Sequence, residues 1–479
     1  MYDLLVKNGL VANEYHVLPL DVAVQEEKVV ALASHGALDA IGAQHVIDAQ
    51  GKYVLPGGID PHVHYDLSVS AAMTAQSPVA GSRAGLYGGT TTYIDFSMQA
   101  GEESLVESIQ RKMAHTAAQH PHADYALHAI MSGDWPLKNA GMMAEAISGG
   151  VISFKFFTTF KGSPAIGGLM SDDGRIYSAM RETAKHGGIT MVHCEDERII
   201  DYHTRQLYAE GREQFWHIGE ARPPLAEEAA VRRMLLLAKR TGAPLYIVHV
   251  SGQDSVHAIT DARADGVAVF AEVLHPNLVF DPELYKLPQG QRYMNYPPNK
   301  TQEHREVLWA ACADRRVHTV ASDDFTIPLA AKILGSTVDN VTGGTNSVET
   351  RMAVFWSEGV NARHLAVTRF VDLTAAAPAK LFGLYGTKGV IRPGADADIL
   401  IMDGTQEHVY KQGENLHSDC DYSNWDAWKV TGFPVTTILR GHVMVDQGAW
   451  VGPQGIGRFI PGRSPENVSG VNTPPHQGA

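Results

Sequence analysis

Cysteine is scarce in this chain of 479 residues. The three present, Cys194, Cys312 and Cys420, are scattered, odd in number and outside any Cys-x-x-Cys pair. That excludes a disulfide framework and thiolate zinc sites, and a reducing cytoplasm is the expected setting. Charged residues make up only 19% of the chain, with a formal net charge of −14. Nucleic acid and anionic membrane surfaces are therefore excluded as main partners. No run approaches the roughly 18 apolar residues of a spanning helix. The stretch MYDLLVKNGLVANEY has no basic region leading into a long apolar run, so no secretory signal is expected. What is present is a globular composition, 44% apolar, in a chain too long for one simple core.

The first 50 residues read as short strands with Gly and Asn turns: YDLLVKNGLVA, DVAVQEEKVVALAS and HVIDAQGKYVLPG. From VLPGGIDPHVHYDL onward the pattern changes. Apolar, β-rich runs (GGTTTYIDFS, DYALHAIMSG, VISFKFFTTF, ITMVHCEDE, PLYIVHVSG, VAVFAEVLHP, VHTVASDDF) alternate with helical stretches such as SLVESIQRKMAHTAAQH and LAEEAAVRRMLLLAKRTG. Strands alternating with helices predict a parallel sheet, here a (β/α)8 barrel of the TIM type over residues 55–385. Short strands return from GVIRPGADADILIMD through TTILRGHVMVDQGAWV. Residues 1–54 and 386–455 are expected to pair into one small β-sandwich. Residues 456–479, rich in Gly, Pro, Asn and Ser, are expected to form an extended tail lying on a neighbouring subunit.

VISFKFFTTF poses a chemical question, because Lys155 sits inside an apolar strand. A buried ammonium must either pair with an acid or lose its charge. A neutral amine reacts with carbon dioxide to give a carbamate, a carboxylate able to bridge two cations. His62 and His64 form a His-x-His pair, and residues i and i+2 of a strand share a face. Alone, that pair reads equally as metal ligands or as polar residues at a barrel mouth. His193, His249 and Asp323 also end predicted strands. His62 to Lys155 spans three βα units, Lys155 to His193 one, His193 to His249 one with an insertion, and His249 to Asp323 two. Strands one, four, five, six and eight would carry the set, and barrel chemistry gathers at strand ends. One buried histidine is usually a hydrogen-bonded core residue; five positions in step point to metal.

This set, with VLPGGIDPHVH, EARPPLAEEAAVRR, AEVLHPNL, VETRMAVFWSEGV and LFGLYGTKGVIRPGADADILIMD, resembles the amidohydrolase superfamily. More narrowly, it resembles the dihydropyrimidinase and hydantoinase group, along nearly the whole chain. The resemblance implies a homotetramer or homodimer that hydrolyses carbon–nitrogen bonds of small cyclic amides at two divalent metal ions, usually zinc. Position by position, it implies His62, His64 and Asp323 on one metal, His193 and His249 on the other, and carboxylated Lys155 (N6-carboxylysine) between them. A hydroxide bridging the metals would attack the carbonyl. Asp323 would be the catalytic proton shuttle to the leaving nitrogen.

The resemblance breaks at the substrate contacts. The group carries Tyr five residues after the bridging lysine, and here stands Phe160. It carries Ser before a Pro-Pro pair, where MNYPPNK places Tyr296. It carries Asn ahead of the VETR segment, where NVTGGTNSVETR places Gly343. Asp324 replaces a usual His and reads as a surface or supporting acid. Losing one such donor costs about 3 kcal/mol of transition-state stabilisation, so a bulkier or more aromatic ring is the expected substrate. Tyr296 is then a candidate source of the missing hydroxyl. Three alternatives compete: an acyclic amide, ureide or carbamate hydrolase on the same site; a non-catalytic scaffold relative, opposed by six retained ligands; and a mononuclear deaminase, opposed by Lys155. His128 stays open between site and core. Glu195, Asp196 and Glu272 read as supporting or surface groups, and Trp425 and Trp428 are expected to pack the C-terminal sandwich.

Overall fold

The computed structural model describes residues 1–70, 73–100, 102–135, 138–162 and 167–463. Eight strands follow one another in parallel: Gly58–Asp60, Thr90–Met98, Asp124–Ile130, Ser153–Phe157, Ile189–His193, Leu245–Ile247, Val269–Leu274 and Thr319–Ala321. Each pairs with its successor in the chain. A single parallel bridge between Val63 and Asp324 joins the extensions of strands one and eight, closing the expected barrel at its mouth. Buried parallel strands need side chains that tolerate burial on both faces. All seven residues of Asp124–Ile130 are buried, including Asp124 and His128.

Helices supply the outer ring, and their ends are written in the sequence. Leu105–Ala118 begins with a capping box, Ser104 and Glu107 each satisfying the other's backbone N–H. Pro224–Thr241 starts with proline in its first turn and stops at Gly242, whose φ of 72° is left-handed. Among the described residues, no helix is long and apolar enough to cross a membrane. Cys194, Cys312 and Cys420 are all free thiols, as expected.

The two chain ends build one mixed sheet. Tyr53–Pro56 lies between Tyr2–Ala12 on one side and Ile399–Val409 on the other. This sheet carries its own apolar cluster, including Leu4, Val22, Val54, Ile399 and Ile438. A buried ionic knot ties it to the barrel. Lys388 Nζ reaches Asp124 of strand three at 2.6 Å, Asp398 at 2.7 Å and Asp396 at 3.0 Å. Burial would lower the lysine pKa, but these carboxylates outweigh it and raise it. Arg440 also grips Asp124.

One expectation changes. Trp425 and Trp428 pack on the barrel rather than the terminal sheet. Residues 410–428 leave the sheet and run across barrel loops, so Trp425 stacks on His275 and Phe280 at 5.0 and 4.5 Å between ring centroids, and Trp428 meets Phe280 at 5.8 Å. The start of the tail is held by its own chain. Ile460 N–H donates to Tyr125 O at 2.7 Å and Gly462 N–H to Gly150 O at 2.9 Å. The rest of that predicted segment, 464–479, lies outside the described residues.

Replacing Lys388 by methionine should leave Asp124, Asp396 and Asp398 buried with too little positive charge. The expected cost is about 3–5 kcal/mol, the range for breaking a buried pair from one side. Denaturant titration checks it, with an unchanged midpoint arguing that the knot contributes nothing.

Candidate metal centre

The centre is built at the barrel seam. Beyond strand one the chain continues extended, so His62 and His64 project to one side while Val63 turns into the core. His64 N–H donates to Asp324 O at 2.8 Å, which sets His64 beside Asp323. Beneath the seam lies a second, fully buried device. Asp60 accepts the backbone N–H of Ser322 at 3.1 Å and of His62 at 3.3 Å. Arg351 faces it at 3.4 Å while donating to Val320 O and Thr90 Oγ1.

Asp323 Oδ1 lies 3.2 Å from His62 Nε2 and 3.0 Å from His64 Nε2. Each of the three residues offers one ligand atom, and all three atoms lie within 4.8 Å of one another. Glu272 Oε1 accepts from His62 Nδ1 at 2.8 Å, which puts the ring proton on Nδ1 and leaves the Nε2 lone pair facing Asp323. Burial holds the His64 pKa below its ordinary value, favouring the neutral imidazole a cation needs. For Asp323 burial acts upward, but His62, His64 and His249 outweigh it and keep the carboxylate ionised.

His193 and His249 adjoin this group. Their ring centroids are 4.5 Å apart, and His249 lies 5.7 Å from His62. His193 Nε2 is bound to Glu195 at 2.7 Å, leaving Nδ1 as its free nitrogen, while His249 Nδ1 is buried without a partner. Lys155 is 1% exposed. It makes no hydrogen bond or salt bridge among the described residues; its Nζ lies 5.2 Å from the Phe157 ring centre and 5.7 Å from that of Phe96. The acid partner that the sequence left open is not met. Burial pushes the lysine pKa down to about 8, against attraction from Asp323 and Glu272. All six residues line one cavity of about 310 Å³.

Phe160, Tyr296 and Gly343 line the same cavity, with Phe157, Phe325 and Leu169 beside them. Phe160, His249 and Asp323 have left-handed φ values of 69°, 40° and 51°, a cost that clusters at functional sites. Glu197 holds the Phe160 turn, accepting from Thr159 Oγ1 at 2.6 Å and Phe160 N at 2.8 Å. Arg222 stacks on both aromatic rings, 4.8 Å from Phe160 and 4.4 Å from Tyr296. The Tyr296 hydroxyl donates to Val341 O at 2.7 Å, so it is already committed and does not replace the missing donor at position 160.

Several supporting residues emerge only in three dimensions. Arg222 binds Glu195 at 2.6 Å, and with His193 it brings that carboxyl down to about 2 against the upward effect of burial. Glu272 also accepts His249 N–H and the Tyr246 hydroxyl. Asp324 is no surface acid. It is 1% exposed and accepts from Gln76, Thr326, Ser347 N and Val348 N, while burial lifts its pKa to about 6. His128 is a core residue, bonded to Ser153 and to Pro61 O. Asp196 caps the helix Glu197–Ala209. Asp60, Arg222 and Arg351 lie inside the GIDPHVH, EARPP and VETR stretches, so their signal was present without a partner to read it against.

Glu272→Gln should loosen the tautomer lock on His62 and lower divalent-metal affinity about 10- to 100-fold. Competition against a chelator measures it. Asp324→Asn should instead lower the melting temperature, because it disturbs a buried carboxylate that gathers four donors.

The amidohydrolase family model matches residues 53–444. The chain is 34% identical over 465 residues to a D-hydantoinase of Streptomyces coelicolor, covering 95% of this chain and 97% of that one. It is 34% identical over 462 residues to a D-hydantoinase of Geobacillus stearothermophilus, covering 95% and 96%. A solved dihydropyrimidinase from Brevibacillus agri superposes with a TM-score of 0.90 at 33% identity, over 97% of this chain and 99% of that one. A solved D-hydantoinase gives 0.91 at 31% identity, over 98% and 100%. The chain belongs to the amidohydrolase family, in its hydantoinase and dihydropyrimidinase-like group.

Proposed function

We propose that the protein is a hydrolase dependent on two divalent metal ions that opens a cyclic amide or imide bearing a bulky or aromatic ring. One observation carries this reading: His62, His64 and Asp323 converge in a cavity that also holds His193, His249 and a buried, unpartnered Lys155. The donor set fits the group. Neutral imidazoles and one carboxylate suit zinc, and the buried His64 Nδ1 and His249 Nδ1 are ring nitrogens with no hydrogen-bond partner among the described residues. His62, His64 and Asp323 would hold one ion, and His193 and His249 the other. Lys155 Nζ, whose pKa burial brings down to about 8, adds in its neutral form to the carbon of carbon dioxide and releases a proton. The resulting carbamate is the carboxylate that would span both ions.

Bound there, the cations would supply Lewis acidity and acidify a shared water enough for attack at neutral pH. The chain's own residues do the rest. Asp323 is the only carboxylate among the described residues lining the cavity. It is ionised at the start, takes the proton of the attacking water and returns it to the leaving nitrogen. Phe160, Tyr296, Phe157 and Phe325 exclude water and present ring faces and edges to the substrate. A cavity of this kind favours a flat or substituted ring over one read by ring-amide hydrogen bonds.

Elemental analysis of protein never exposed to chelator should give about two divalent ions per chain; at most a trace sinks the proposal. Lys155→Ala should lose one ion and nearly all turnover, with partial recovery on adding a small carboxylic acid. Asp323→Asn keeps the shape but cannot carry a proton. It should lower kcat by about 10²- to 10⁴-fold while changing KM far less. Screening the metal-loaded protein against cyclic imides, lactams and N-acyl compounds should place dihydrouracil and simple hydantoins among the poor substrates.

A further inference from the structure

Tyr296 and Gly343 belong to two separate loops, one preceding the helix Gln302–Ala313 and one following strand eight. Three contacts lock these loops together. Lys332 is fully buried and has no carboxylate partner among the described residues. Its Nζ donates to Met294 O at 2.9 Å and to Thr342 O at 2.6 Å, two residues before Tyr296 and one before Gly343. The Tyr296 hydroxyl donates to Val341 O at 2.7 Å. The third contact is steric. An ideal Cβ on Gly343 would lie 2.9 Å from Tyr296 Cε2 and closer still to Cδ2. Gly343 does not have a left-handed φ, so the Tyr296 ring, and not the backbone, is what demands glycine there. That ring is held in place on the cavity wall. Its hydroxyl is bound, Arg222 lies 4.4 Å from its face, and Phe160 meets it edge-on at 5.2 Å.

We infer that Tyr296 and Gly343 act as one specificity unit, the ring at 296 filling the space that any side chain at 343 would need, so that this edge of the cavity is aromatic and rigid. The inference rests on the cyclic-amide reading above and names its substrate class. Gly343 has no side chain to donate, and the one polar atom of the Tyr296 side chain is spent on Val341. A substrate whose edge away from the scissile bond carries ring N–H and C=O groups finds no side-chain partner in Tyr296 or Gly343; the amide of Asn295 is a polar side chain that remains beside them on the cavity wall. A cyclic imide or lactam with a fused or attached aryl group on that edge finds Tyr296 and Phe160, in the geometry aromatic pairs prefer.

Melting of full-length variants tests the unit without reference to turnover. Gly343→Ala should lower the melting temperature by at least about 2 °C in the wild-type background, as overpacking does. In a Tyr296→Ser background the same change should cost less than half as much, because the ring is gone. Tyr296→Phe keeps the ring, and there Gly343→Ala must stay costly. If Gly343→Ala alone yields no folded protein while the double variant folds, the coupling is supported equally. Tyr296→Ala replaces Tyr296→Ser should the latter not fold. Equal cost in both backgrounds, or no cost in the wild type, overturns the unit. A second arm compares kcat/KM for phthalimide and for dihydrouracil. Wild type should prefer phthalimide, and Tyr296→Ser/Gly343→Asn should shift the ratio toward dihydrouracil by about 10- to 100-fold. An unchanged ratio overturns the specificity role. Metal-loaded wild type that hydrolyses no cyclic amide at all overturns the reaction proposed above instead, and the melting cycle still decides the unit.

Discussion

A backbone hydrogen bond from the His64 amide to the Asp324 carbonyl closes the barrel at its mouth, and the candidate metal centre depends on it. The eight strands pair in chain order, so strands one and eight must meet or leave an open edge. Their meeting at Val63 and Asp324 fixes the register, and a one-residue slip would turn His62 and His64 away from Asp323. The buried Asp60–Arg351 pair sits directly beneath. It binds the amides of His62 and Ser322 and the carbonyl of Val320, so it holds both strands to that register from below.

The same logic extends to the imidazoles. A histidine that ligates a cation must present one nitrogen and dispose of the other. His62 gives its Nδ1 to Glu272, and His193 gives its Nε2 to Glu195. Glu195 is balanced in turn by Arg222, which also stacks on the aromatic wall. One guanidinium therefore links ligand orientation to cavity shape. Lys155 is buried and makes no hydrogen bond or salt bridge among the described residues, although it lies among paired carboxylates and histidines. An unpaired ammonium there is costly, and the proposed conversion to a carboxylate between two cations would remove the cost.

The barrel and the convergence of the six residues on one cavity were legible because both rest on period and spacing. Apolar runs set the strands, and chemistry-bearing residues at their ends fell in step with the βα unit. Trp425 and the Tyr296 hydroxyl were misread, and Asp324 was left between a surface and a supporting role, for a shared reason. Each makes its defining contact with a residue far away in sequence: Asp324 with Gln76 and Val348, Trp425 with His275 and Phe280, Tyr296 with Val341. Local pattern reports which face a side chain takes, not what it meets there. Arg222 escaped assignment likewise, and Glu272, read only as a supporting or surface group, takes its role from the histidines it holds.

The aromatic wall and the lost donors are two sides of one energetic choice. Each ring N–H or C=O desolvated without a partner costs about 1–3 kcal/mol. An aryl group burying about 150 Å² of surface gains about 4 kcal/mol at 25 cal/mol per Å². Apolar pockets reject polar isosteres only weakly, by a factor of about 10², whereas donor-lined pockets reject rings lacking the matching group far more strongly. On the proposed reading, exchanging donors for Phe160, Tyr296 and the bare Gly343 would relax discrimination among polar rings and reward apolar area. The six strand-end residues and the seam lie on other elements than the two loops that carry Tyr296 and Gly343. Reaction and specificity thus reside on different elements of the barrel: the first on strand ends held by the seam, the second on two loops held to each other by Lys332 and Tyr296.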